Sequence, residues 1–285
     1  MIPRPGGGAM ERILSLGNVK FTYEGGVDAL MEVSLEVRRG EYIALVGGNG
    51  SGKTTLAKHL NGLLRPTSGR IWVGGRDSAD LTVAALARTV GYAFQNPDHQ
   101  LFCTSVEDEV RFGPHNLGRP DDEVRRLSET AMEVMGIADI RAKPPLTLSL
   151  GQRRRVSIAA VLAMDPAVLV LDEPTTGLDH GEARELMEIL SGLNRDGKTV
   201  ILITHDMRLV AEHATRVVIM SGGQIVLDSD VRGAFDDLGL LRDAQLIPPP
   251  ISILAHRLEG RGVPADILTA DEMVFHLELG RTGGG

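Results

Sequence analysis

The chain has 285 residues, 42% of them hydrophobic and 24% charged, with 38 acidic against 30 basic side chains for a net charge of −8. That length and apolar content can bury a large core, so one main domain with an appendage is expected; the acidic balance argues against a general nucleic-acid binder and leaves open only a local basic patch. A single cysteine, Cys103, excludes an intramolecular disulfide and fits a reducing compartment.

No run reaches the roughly 18–20 consecutive apolar residues of a membrane-spanning helix. The closest, residues 156–171, is interrupted by Asp165 and Pro166, and the N-terminus lacks the apolar core of a signal peptide. Any membrane association is therefore expected to be peripheral. Residues 1–9 and 283–285 read as flexible ends, with Met10 as the start of the natural protein.

Ile13 to Tyr23 and Ala29 to Val37 read as strands. In the second, Met31, Val33, Leu35 and Val37 alternate with Glu32, Ser34, Glu36 and Arg38, which predicts one buried and one exposed face. Tyr42 to Val46 is an apolar run suited to a buried parallel strand, and a helix is expected from Lys53 to about Gly62. A hairpin over Arg70 to Arg76 and a strand over Val90 to Phe94 follow. Val124, Leu127, Ala131 and Val134 recur at helical spacing, with Gly136 as the stop. Gln152 to Met164 reads as a helix, and then the pattern alternates: strand Val168 to Leu171, helix Glu182 to Asn194, strand Thr199 to Thr204, helix Met207 to His213, strand Arg216 to Met220. Gly222-Gly223 turns the chain into a last strand, Gln224 to Leu227.

This order predicts an α/β fold: a P-loop core with a mostly parallel sheet, an N-terminal antiparallel β subdomain and an inserted α-helical subdomain over about 97–165. Residues 12–235 form the main unit. A small C-terminal appendage, 236–285, carries the Ile247-Pro248-Pro249-Pro250 segment and two short helical candidates.

Gly47 to Thr54 matches G-x-x-x-x-G-K-[ST] between a predicted strand and a predicted helix, the context that a phosphate loop requires. Its glycines let successive backbone N–H groups turn inward around phosphates, at a helix N-terminus that favours anions. Gly47, Asn49, Gly50, Ser51, Gly52 and Thr55 are assigned to this cradle, Lys53 to the β- and γ-phosphates of ATP, and the Thr54 hydroxyl to Mg²⁺. Asp172 and Glu173 follow an apolar strand, with Pro174 holding the backbone beyond them. Asp172 is read as the Mg²⁺ ligand, through water, and Glu173 as the general base for an attacking water, a role worth about 10²–10⁴ in rate.

Leu148-Ser149-Leu150-Gly151-Gln152 resembles the signature loop of ABC-type ATPases, usually LSGGQ, and the remaining motifs stand in that family's order over about residues 12–230. The resemblance implies that Tyr23 stacks on adenine, that Gln95 is the Q-loop glutamine at the metal and the attacking water, that Gly177-Leu178-Asp179 is the D-loop, and that His205 is the switch histidine. It also implies that Ser149, Gly151, Gln152 and Asp179 serve a nucleotide held by a second ATPase subunit, identical or related, so that two subunits close head to tail over two ATPs. Leu150 departs from the family, where Gly is usual; because Gly151 is retained, activity is expected to survive. Arg153 to Arg155 read as the solvated first turn of the signature helix, some of them facing phosphates or Glu side chains. The eight histidines, beside one cysteine, give no zinc-type spacing.

Residues 91–118 are similar to the ATPase subunits of energy-coupling factor (ECF) transporters, through Gln95-Asn96-Pro97-Asp98, Gln100-Leu101-Phe102, Val106-Glu107 and Phe112-Gly113-Pro114 with Asn116-Leu117-Gly118. That resemblance implies a subunit at the cytoplasmic face of the cell membrane that energises import of a vitamin or of a metal such as cobalt or nickel. Its partners are a membrane scaffold protein and a substrate-binding membrane protein, with no nucleic acid. Glu107, Asp108 and Glu109 are either an acidic reader of arginines on the scaffold's coupling helices or a solvated helix start favoured by the dipole. The alternatives are the ATPase of another ABC subclass and a soluble ABC ATPase without a transport role.

Overall fold

The computed structural model describes residues 11–282; the expected flexible ends and the start at Met10 lie outside the described residues. In chain order the strands are β1 (Arg12–Thr22), β2 (Asp28–Arg38), β3 (Tyr42–Val46), β4 (Ser68–Val73), β5 (Arg76–Asp77), β6 (Val90–Ala93), β7 (Val168–Asp172), β8 (Thr199–Ile203), β9 (Arg216–Ser221) and β10 (Gln224–Asp230). The helices are α1 (Lys53–Leu60), α2 (Val83–Ala87), α3 (Val106–Asn116), α4 (Asp121–Val134), α5 (Leu150–Leu162), α6 (His180–Arg195), α7 (Met207–His213), α8 (Val231–Asp236), α9 (Leu238–Asp243), α10 (Pro250–Leu258) and α11 (Ala270–Thr282).

Two sheets result. The first is antiparallel in the order β2-β1-β4-β5; the second runs β10-β9-β3-β8-β7-β6 and is parallel apart from the antiparallel edge strand β10. Every residue of β3, β7 and β8 is buried, which is why these strands read as unbroken apolar runs rather than as alternation. Between β6 and β7 the regular elements are helical only, and α3, α4 and α5 pack on one another. No helix among the described residues is long and apolar enough to cross a membrane.

The parallel order puts the ends of β3, β6, β7 and β8 along one edge, so that residues 47–52, Gln95, Asp172-Glu173 and His205, far apart in sequence, leave the sheet side by side. The two sheets share a core: Leu14, Leu30 and Ile71 pack in one cluster with Leu45, Leu56 and Ile203. The C-terminal elements join the parallel sheet as well. Phe235, Leu241, Ala244, Leu246 and Leu268 belong to the cluster of Ala44, Val46 and Ile219, whereas Ala255, Val263, Ile267 and Met273 form a smaller one.

Three expectations about faces fail. In β2 the buried face is Leu30, Val33, Leu35 and Val37, while Met31 is 38% exposed. The cause is local: Glu32 takes a left-handed φ of 57°, and the pairing with β1 shifts register there, with Val19 opposite Val33 but Phe21 opposite Leu30. In α4, Val124 and Ala131 are buried, but Val134 is 37% exposed and Met132 and Met135 take its place. On α5 the run Arg153 to Arg155 is not a solvated turn. Arg154 is 3% exposed and donates to the Phe94 carbonyl (2.9 Å), Arg155 donates to the Met135 carbonyl (3.1 Å) and pairs with Glu185, and Arg153 pairs with Asp98.

Candidate functional site

The loop between β3 and α1 is shaped by what surrounds it. Gly52 has φ 103°, and a side chain there would run into the Ala29 carbonyl oxygen (2.6 Å) and the Leu30 side chain, so the first turn of α1 lies close to β2. Lys53, buried, folds back into the loop and donates to the carbonyls of Gly47 and Gly48, both at 2.8 Å, and to Ser51 Oγ at 3.4 Å. Burial lowers its pKa, while the Glu173 and Asp172 charges pull it back up. The result is a cationic side chain held within the loop by two backbone carbonyls, at the N-terminus of α1, a position that favours anions.

A cleft of about 310 Å³ opens above this loop. It is lined by Tyr23, Asn49, Gly50, Gly52, Lys53, Thr54, Thr55, Gln95, Asp172 and Glu173. Gly47 and Ser51 are buried beside it. The exposed Tyr23 ring stands edge-on to Phe21 (centroids 4.8 Å apart), and its hydroxyl meets Thr55 Oγ1 at 3.0 Å, which fixes one wall.

Asp172 and Glu173 are presented differently. Asp172, the last residue of β7, is buried; its Oδ2 accepts from Thr54 Oγ1 (3.0 Å) and from the Tyr92 hydroxyl (2.7 Å), and its Oδ1 has no partner. Burial, reinforced by the Asp172 charge, pushes the Tyr92 phenol well above its usual pKa, so that it remains a donor. Tyr92 was not legible as a site residue: in sequence it is one apolar-strand position among several. Glu173 has φ 48°, a strained conformation for a glutamate, while its N–H still continues the ladder to the Ile203 carbonyl (2.9 Å). This turn directs its carboxylate into the cleft, where Oε1 meets His205 Nδ1 (2.8 Å) and Oε2 accepts from Thr176 Oγ1 (3.2 Å).

The sequence pattern that defines the family described as ABC transporter matches residues 30–176, more than half of the chain. The chain belongs to the ABC transporter family. A protein named energy-coupling factor transporter ATP-binding protein EcfA1, from Caldanaerobacter subterraneus subsp. tengcongensis, is 42% identical over 273 residues, covering 93% of this chain and 98% of that protein. A putative ABC transporter ATP-binding protein of Methanosarcina acetivorans is 47% identical over 259 residues, which is 90% of this chain but 42% of that protein. The chain thus spans about half the length of several curated relatives it matches. Among solved structures, CbiO1 from Clostridium perfringens, described as part of the ABC transporter complex CbiONQ, superposes with a TM-score of 0.73 at 38% identity, over 82% of this chain and 94% of that one.

The ABC signature segment lies outside the cleft. Ser149 caps α5: its Oγ accepts from the Gln152 N–H while the Gln152 side chain accepts from the Ser149 N–H, both at 3.2 Å. Gln152 is thereby engaged in holding the loop's shape. Asp179 caps α6 in the same way with Glu182. The two segments touch: a side chain on Gly151 would meet the Glu182 carboxylate, its Cδ 2.8 Å away, and one on Gly177 would meet Leu150 Cδ2 at 2.7 Å. Leu150, the departure from the family pattern, therefore packs on the D-loop glycine.

The helical lobe also holds a groove of about 530 Å³, lined by Cys103, Asp108, Arg111, Phe112, His115 and Arg125 among others. Of the three acids expected near it, Glu109 is buried and accepts the N–H groups of Phe102 (2.9 Å) and Cys103 (2.8 Å), and Glu107 pairs with Arg111 and Arg141. Asp108 alone lines the groove, its carboxylate also accepting the Ser105 hydroxyl at 2.7 Å. Next to it the exposed rings of Phe102 and Phe112 meet edge to face at 4.8 Å.

Proposed function

We propose that the chain binds and hydrolyses ATP as the motor subunit of an ECF-type importer, acting in a dimer of ATPase subunits. The observation that carries this reading is the Glu173 carboxylate, turned into the phosphate cleft and held between His205 and Thr176. In the mechanism, the loop N–H groups and Lys53 hold the β- and γ-phosphates and Tyr23 receives the adenine. A water held by Glu173 and Gln95 attacks the γ-phosphorus. Its proton passes to Glu173 as the new P–O bond forms and the bond to the β–γ bridging oxygen breaks, releasing ADP and phosphate. His205 orients the carboxylate before attack and offers its imidazole to the γ-phosphate region.

The residues fit Mg²⁺: among the described residues Asp172 Oδ1 is a buried acceptor without a partner, its Oδ2 accepts from the Thr54 hydroxyl, and Gln95 lines the same cleft. Asp172, Thr54 and Gln95 would hold the ion, which when bound would supply charge neutralisation at the phosphates.

Ser149, Gly151, Gln152 and Asp179 serve the nucleotide of the other subunit, a reading supported by their absence from the cleft of their own chain. Closure on two ATPs and reopening after hydrolysis then drive the membrane partners, a scaffold protein and a substrate-binding protein. The names of the EcfA1 and CbiO1 relatives support this class; the cargo we assign to it is a vitamin or a transition metal such as cobalt or nickel. The groove beside Phe102, Phe112 and Asp108 receives the scaffold's coupling helix, which places the subunit peripherally at the cytoplasmic face. Residues 12–235, with the helical subdomain at about 97–165, form the ATPase unit, and 236–285 are added to it.

Glu173→Gln tests the assignment. The variant is expected to bind ATP with near-normal affinity, to lose hydrolysis by about 10²-fold or more, and to accumulate as an ATP-bound dimer on gel filtration. Normal turnover in this variant would overturn the assigned base.

A further inference from the structure

The outer side of the phosphate loop, away from the cleft, is covered by the C-terminal region. Gly48 has no side chain, and the space one would occupy is filled by Gln245: a Cβ on Gly48 would stand against Gln245 Oε1 and 3.1 Å from both Cβ and Cδ of that residue. The contact is part of a longer seam. Gly48, Asn49, Gly50 and Ser51 face Asp243, Ala244 and Gln245 across a groove of about 260 Å³.

Gln245 is held there by its neighbours. It follows α9 in a Schellman turn, with the Leu246 N–H bonded to the Leu241 carbonyl (2.8 Å) and the Gln245 N–H to the Arg242 carbonyl (2.9 Å). Ala244 and Leu246 on either side are buried, as is Leu241, in the cluster of Ala44, Val46 and Ile219. These last residues belong to β3, which leads into the phosphate loop, and to β9. The turn is thus anchored to the strands that set the loop's position.

The backbone of Gln245 has φ 60°. Glycine is the residue that this position of a Schellman turn favours, because any side chain there crowds the backbone. A glutamine is a strained choice for the turn itself, and its side chain does not cap α9; it lies on Gly48. Gly48 in turn contributes one of the carbonyls that bind Lys53. A loop of this composition has much freedom to lose on closing around phosphate, and a brace from outside removes part of that cost before the ligand arrives.

We propose that Gln245 is a positioning residue for the phosphate loop, bracing Gly48 by its bulk and thereby coupling nucleotide binding to the seating of the C-terminal region. The proposal rests on the reading of the cleft as a nucleotide site.

The test is calorimetric titration of the full chain with ADP, which engages the loop and is not hydrolysed, together with thermal melts. Gln245→Gly deletes the brace and relieves the turn. It is expected to weaken ADP binding by about 3- to 10-fold while the melting temperature of the nucleotide-free protein holds or rises. Gln245→Met keeps the bulk without the amide and is expected to bind within about twofold of the natural chain. Three results would each overturn the proposal: unchanged affinity in Gln245→Gly, a parallel fall in affinity and melting temperature, or an equal loss in Gln245→Met. Failure of the unaltered chain to bind ADP would instead overturn the nucleotide-site reading itself, and this inference with it.

Discussion

Asp172 shows how two hydroxyl donors can divide the work of one carboxylate. Oδ2 of Asp172 accepts from two hydroxyls, those of Tyr92 and Thr54, while Oδ1 is buried and unpartnered among the described residues. Tyr92→Phe keeps the ring, which packs edge-on to Phe94 with centroids 5.0 Å apart, and removes only the donor. A hydrogen bond to a charged acceptor contributes about 1.5–3 kcal/mol. The variant is therefore expected to need about 10- to 150-fold more Mg²⁺ for half-maximal ATP binding, with binding in EDTA unchanged. A magnesium titration of ATP binding that superposes on that of the unaltered chain would show that Tyr92 does not position the carboxylate. Arg154 illustrates the limit of reading charge at this scale. Three consecutive helical residues point about 100° apart, so a run of three arginines cannot share one solvated face. Arg154 stands one turn before the buried Ile158 and reaches the Phe94 carbonyl. Burial lowers its pKa, while Asp172 and Glu173 raise it.

At the scale of elements, the long periodic segments were legible because their periodicity is their burial. β3 and α7 have the bounds expected from sequence, and β7, β8 and β9 differ by about one residue. The failure in β2 has a definite cause. Alternation assigns a face only while the pleat is unbroken, and the left-handed Glu32 shifts the parity of everything before it. The two readings make opposite predictions for neighbouring residues. Leu30 is 1% exposed and packs in the main core, so Leu30→Ala is expected to cost about 2–5 kcal/mol in denaturant unfolding, whereas Met31→Ala costs under about 1 kcal/mol. Equal losses, or a larger loss at Met31, would mean that the bulge is misplaced. The helix α3 has its acids in the first turn, yet which of them face outward was not legible, because Glu109 is turned inward by two backbone N–H groups of its own N-terminal loop.

For the whole molecule, the capped Ser149–Gln152 turn is not among the residues that line the cleft. Hydrolysis is accordingly expected to depend on association. If the proposed shared site is formed between two copies, specific ATPase activity should rise with protein concentration and then saturate. Constant specific activity over about a 100-fold dilution, down to concentrations at which the chain is monomeric by light scattering, would refute the shared site. If the natural partner is a related second ATPase, its addition should restore activity at the dilute end.

The sequence by itself determined the class of the fold and which segments stand at the cleft. The phosphate loop, the paired acids and the histidine are recognisable because each follows an apolar strand, and strand and loop are local features that the chain order preserves. The tertiary structure alone decided which groups meet. Asp172 with Tyr92, Glu173 with His205, Gly151 with Glu182 and Gln245 with Gly48 join residues from separate elements. The physical reason is that these contacts depend on sheet order and on rotations about individual backbone bonds, among them the left-handed turns at Glu173 and Gln245. Neither composition nor periodicity encodes such a turn, because the surrounding packing holds it in place.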